Sequence, residues 1–84
     1  MREETGRIGV VGIVVKDRQA VARLNETLST HSEVIIGRMG IPYREKGLHV
    51  IALIVDGSTD AIGALTGKLG SINGVQVKSA LTSK

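Results

Sequence analysis

Two runs of this 84-residue chain, Ile8 to Val15 (IGVVGIVV) and Leu48 to Val55 (LHVIALIV), are apolar over the full length of a strand. A strand with one wet face alternates apolar and polar side chains. These two are apolar at odd and even positions alike, apart from His49 and the glycines. Both faces of both strands therefore need cover. A chain of this length forms one small domain whose single core is only marginally sufficient. That core must be aliphatic, because there is no Phe or Trp and the one aromatic, Tyr43, lies in a polar segment.

The absence of cysteine rules out disulfides, thiolate zinc sites and Cys-ligated iron–sulfur clusters, and no cofactor is expected. The start, Met1-Arg2-Glu3-Glu4-Thr5, leads into no signal-type apolar stretch, and the apolar runs are too short to cross a bilayer. A cytoplasmic protein with no membrane partner is expected. The formal charge of +3 mildly favours anionic partners, yet the eleven Lys and Arg are scattered from Arg2 to Lys84. With neither a basic patch nor stacking aromatics, direct nucleic-acid binding is not expected.

After Val15 the period becomes helical. Asp17 is placed to cap, and Val21, Leu24 and Leu28 recur on one side of a helix of about three turns that fades at Ser29 to Ser32. A second strand is expected over Val34 to Ile41, less buried because Gly37, Arg38 and Gly40 interrupt it. Pro42 to Gly47 (PYREKG) reads as the link of a long hairpin. Asp56-Gly57 closes the third strand, Ser58, Thr59 or Asp60 caps a second helix, and Ile62, Leu65 and Leu69 mark its buried stripe. Gly63, Gly67 and Gly70 in that helix cost roughly 1 kcal/mol each against Ala, which points to close approach to the sheet. Asn73-Gly74 is a turn, and Val75 and Val77 alternate with Gln76 and Lys78 as in an edge strand.

The order β-α-β-β-α-β forms two split βαβ units, the α+β ferredoxin-like arrangement of a four-stranded antiparallel sheet with both helices on one face. Its first and third strands are central, and these are the two doubly apolar ones. A tail over residues 1–6 and a single domain over residues 7–84 are expected. Helices on one face leave an aliphatic face open, so sheet-to-sheet or edge-to-edge assembly into a dimer or tetramer is expected. The competing arrangement is a monomer whose second face is shielded by Lys and Arg stems and the N-terminal tail. A charge at Val11 or Leu53 is expected to damage folding and assembly together.

The densest group of unusual residues is Gly37 to Gly47. Arg38 and Arg44 can make bidentate bonds to carboxylate or phosphate and Tyr43 offers a flat hydrogen-bonding surface; the same segment also reads as a charged hairpin tip guarding an edge. Lys16, Asp17 and Arg18 at the first strand-to-helix junction are a candidate small-anion site, or a solvated cap. In Asp56 to Asp60 the carboxylates argue for capping over anion binding, and Ala61 and Gly67 stand where a calcium loop needs glycine and glutamate. His49, in an apolar strand, reads as a satisfied structural histidine, and His31 as a partner of a helix C-terminus. Two imidazoles make no closed metal site in one chain, and no nucleophile with a nearby base can be assigned, so no catalytic and no metal residue is expected.

The segments RIGVVGIVVKDR (7–18), IIGRMGIPYREKG (35–47) and VDGSTDAIGALTGKLGSINGVQVKSAL (55–81) resemble the small ACT-like proteins called iron-only hydrogenase system regulators. The resemblance covers nearly the whole chain. It implies a fold similar to ACT domains and to the C-terminal domain of nickel-responsive repressors, and a regulatory module that senses a small ligand or docks on a partner protein; the alternative is a purely structural protein-interaction domain with no ligand. Two departures narrow this. Arg18 and Gln19 follow Asp17 where ACT domains carry a glycine-containing loop, against an amino-acid effector; no cysteine ligand and no ribbon-helix-helix segment precede Arg7, against nickel sensing and autonomous DNA binding.

Overall fold

A computed structural model describes residues 6–82. Strand β1 (Arg7–Val15) leads through a 3-10 turn at Arg18–Ala20 into helix α1 (Val21–Thr30), and a second such turn at Ser32–Val34 leads into β2 (Ile35–Tyr43). A third, at Arg44–Lys46, joins β2 to β3 (Leu48–Gly57); α2 (Thr59–Gly70) and β4 (Val75–Leu81) follow. The four strands form one antiparallel sheet in the order β2-β3-β1-β4. The expected ferredoxin-like α+β topology, with the two doubly apolar strands in the centre, is the one observed. The end of the expected domain at residues 83–84, and all of the expected tail except Gly6, lie outside the described residues.

Local signals place these elements. The Asp17 carboxylate accepts from the Gln19 amide (3.0 Å), so it caps the 3-10 turn before α1 and not α1 itself. Ser58 Oγ accepts from the Ala61 amide (3.0 Å) at the start of α2, where Asp60 complements the helix dipole. Gly74 turns the chain at φ 83°, and the Lys16 amide donates to its carbonyl (2.7 Å), tying the end of β1 to the turn before β4.

The core lies between one face of the sheet and the helices. Val11, Ile13 and Val15 of β1 and Ile51, Leu53 and Val55 of β3 pack against Leu24 and Leu28 of α1 and Ile62, Leu65 and Leu69 of α2. Each fully buried Leu or Ile contributes roughly 1.5–3 kcal/mol, and no aromatic ring takes part. Gly63, Gly67 and Gly70 do not pack closely against the sheet. A β-carbon at any of them would meet nothing within 4 Å, so the expectation of close packing there is corrected: these glycines line an open groove beside Val77, Lys78 and Ser79 of β4.

Strand β2 departs from the sequence reading in two ways. Pro42 and Tyr43, expected in the link, are its last residues. A bulge also breaks its register, with Ile35 paired to Val55 but Gly37 to Ile54. The bulge reverses which parity faces the helices. Beyond it, Arg38, Gly40 and Pro42 share the helix side with Leu53, Ile51 and His49, while Met39 and Ile41 share the open side with Ala52 and Val50.

Candidate functional site

The open face of the sheet is a regular aliphatic surface. Cross-strand pairing arranges it in rows: Gly37, Ile54, Val10 and Ala80; Met39, Ala52, Gly12 and Lys78; Ile41, Val50, Val14 and Gln76. Only Lys78 and Gln76, both on edge strand β4, are polar. The middle row is small at its centre, where Ala52 meets Gly12, and the rows on either side carry branched residues. Val10, Met39, Ile41, Val50 and Ile54 are all exposed within the single chain, and Tyr43 continues the same side of β2 toward the hairpin.

A second feature opens on the helix side, at the end of the molecule where β1 ends and the β2–β3 hairpin turns. A cleft of about 470 Å³ lies between the entry to α1 and the hairpin, within the range of small-molecule sites. Arg18 lines it from the turn before α1, Arg44 from the hairpin and His49 from the start of β3; Val15, Val21, Pro42 and Leu48 supply apolar surface. No carboxylate lines it, and its one aromatic ring is the His49 imidazole. The His49 imidazole leans over β2, where a β-carbon at residue 40 would stand 3.3 Å from Nε2, so Gly40 makes the space the ring occupies.

The sequence candidates are thus regrouped. Arg18 and Arg44, read in two separate segments, line one cleft. Arg38 lies on the same side of the sheet but reaches α1, its Nη2 making a long hydrogen bond to Asn25 Oδ1 (3.4 Å). Tyr43 faces the opposite side, so it does not join the two arginines in one surface. Lys16 and Asp17 are exposed, are absent from the cleft lining, and adjoin Gly74. His31 closes α1 as expected, its Nδ1 2.9 Å from the Thr27 carbonyl.

His49 is corrected. Its ring is half-exposed, lines the cleft, and has no hydrogen-bond partner among the described residues, so it is not a satisfied core histidine. The available signal was its position at the end of β3 in phase with the helix-side residues Ile51, Leu53 and Val55. A groove of about 580 Å³ between the helices is a weaker candidate. There Arg23 and Lys68 are offset by Glu26, and Thr27, Thr30 and Ser71 donate their hydroxyls to carbonyls of their own helices. Among the described residues, no three His, Cys, Asp or Glu side chains are grouped to hold a metal ion.

The family model described as "TM1266-like: Iron-only hydrogenase system regulator, putative" matches residues 7–79. The chain belongs to this family. Among solved structures similar to this TM1266-like chain is protein TM1266 from Thermotoga maritima, 40% identical, with a TM-score of 0.87 over 93% of this chain and 99% of that one. The ACT domain of GTP pyrophosphokinase from Chlorobium tepidum is 19% identical (TM-score 0.70, 96% of this chain and 91% of that one). The C-terminal domain of the MgtC protein from Mycobacterium tuberculosis is 11% identical (TM-score 0.71, 98% and 94%). These last two share the fold of the TM1266-like chain. Among curated proteins, none matches it. No helix among the described residues is long and apolar enough to cross a membrane.

Proposed function

We propose that this chain is a homo-oligomeric regulatory module of a hydrogenase system or of transcription, acting by sensing a small ligand or docking on a partner protein, without catalysis. The observation that carries this reading is the open aliphatic face. Ten of the twelve positions in its three central rows are apolar or glycine. A surface this apolar in water is a site of association. A second copy of the same face is the occupant that fits best. It is as apolar, it brings no charge to be desolvated at the centre, and a two-fold axis would set the small Ala52–Gly12 row of each copy against the other. Family membership supports the regulatory half of the reading. The helix-side cleft lies away from that face, so a ligand held there and an assembled sheet can coexist.

Sedimentation of the full chain at micromolar concentration tests the assembly, alongside native mass spectrometry that reports subunit number and any retained ligand together. A dimer or tetramer is expected. A folded monomer at that concentration overturns the reading.

A further inference from the structure

We propose that the cleft between the entry to α1 and the β2–β3 hairpin is a binding site for a short aliphatic dicarboxylate. The proposal deepens the ligand-sensing part of the reading above and rests on it. Two observations point to an anionic ligand. The cleft is cationic without compensation: Arg18 and Arg44 line it and no Asp or Glu does. The adjacent Asp17 carboxylate is turned to the Gln19 amide. Guanidinium groups make bidentate, charge-assisted bonds to carboxylates, stronger than neutral hydrogen bonds.

The two guanidinium groups stand on elements far apart in the chain, Arg18 in the turn before α1 and Arg44 in the turn after β2. A ligand with an anionic group at each end can engage both guanidinium groups together. In the same cleft, Val15, Val21 and Pro42 offer aliphatic surface, which suits a short methylene chain. The half-exposed His49 ring, free of a protein partner among the described residues, supplies a further hydrogen bond. No Phe, Tyr or Trp lines the cleft and Tyr43 faces the other side of the sheet, so the only ring face offered to a nucleobase is that of His49.

The test is a two-dimensional NMR titration of the full chain with succinate and glutarate, against acetate, inorganic phosphate and AMP. Subunit number and melting temperature are followed in parallel. One of the two dicarboxylates is expected to saturate a site that shifts the Arg18, Arg44 and His49 side-chain signals, with acetate weaker by about tenfold or more. Arg18→Gln and Arg44→Gln, both at exposed positions, are each expected to weaken that binding about tenfold with the fold and subunit number unchanged. Phosphate or AMP binding tighter than both dicarboxylates overturns the proposal, as does unaltered binding in both variants or no saturable shift with either dicarboxylate. A wild type that binds dicarboxylate as a monomer removes the oligomeric reading and leaves this site. One that assembles but binds neither dicarboxylate removes this site and leaves the assembly.

Discussion

Gly40 and His49 form a matched pair across β2 and β3. The imidazole occupies the space a side chain at residue 40 would need, since a β-carbon there would stand 3.3 Å from Nε2 and 3.6 Å from Ile51 Cγ1. Gly40 therefore sets the position of the only imidazole in the cleft. Valine at this position supplies a good strand former but claims the ring's volume. Gly40→Val is expected to change stability by no more than about 1 kcal/mol while moving the His49 ring signals in the NMR spectrum. Unmoved ring signals would show that the packing does not hold the imidazole.

The two faces of the central strands differ in what a charge does to them. Val11 and Leu53 are 0% exposed between sheet and helices, whereas their neighbours Val10 and Ile54 are 45% and 43% exposed on the open face. A carboxylate at Val11 or Leu53 must be desolvated in the core and should unfold so small a domain. Val10→Asp and Ile54→Asp should instead fold, with near-native circular dichroism, and sediment with fewer subunits than wild type. Unchanged subunit number in both would move the interface off this face.

That contrast marks where sequence reading stops. Element order, the central pair of strands and the helix stripes follow from periodicity, because Leu24, Leu28, Ile62, Leu65 and Leu69 can be buried on only one side of their helices. A strand apolar at both parities gives no such information: nothing in IGVVGIVV distinguishes Val11 from Val10. The bulge near Ile36 compounds the problem. A one-residue shift sends Arg38 to the helix side and Met39 to the open side, and its one local sign is a glycine within a strand, Gly37. The cleft was half legible. Its arginines stood out as residue types, but their meeting depends on the hairpin turning back beside the α1 entry, a long-range contact that no local pattern encodes.

The cap of α2 offers a quantitative check remote from either surface. Ser58→Ala removes the side-chain acceptor of the Ala61 amide and should cost about 1 kcal/mol in denaturant unfolding, with subunit number unaltered. Gly74→Ala should cost more than that, because residue 74 sits at φ 83° and its β-carbon would lie 2.6 Å from Asp17 Cβ. A smaller loss for Gly74→Ala than for Ser58→Ala would contradict the turn geometry.

Metal removal should leave the fold intact. No cluster of three potential ligands exists among the described residues, so no binding free energy of a structural ion is expected in the unfolding equilibrium. Thermal melts with and without chelator are expected to superimpose; a drop reversed by one divalent ion would reveal a site built from several copies.

Tyr43 and Arg44 are adjacent in sequence and separate in space, and their variants should separate two properties. Tyr43 lies on the open side of β2, 42% exposed, where assembly would bury it. Arg44 begins the 3-10 turn and lines the helix-side cleft. Tyr43→Ser is expected to lower the subunit number or raise its dissociation constant while leaving anion binding in place, since it removes apolar contact area on the open side and Tyr43 itself does not line the cleft. Arg44→Gln is expected to weaken anion capture with sedimentation unchanged, because a charge-assisted bond is lost from an exposed side chain that carries no core packing. Replacing both in one chain should give the sum of the two defects, as for sites that share no partner. If either single variant impairs both properties to the same degree, the hairpin is one surface and the division drawn by the β2 register does not govern its chemistry.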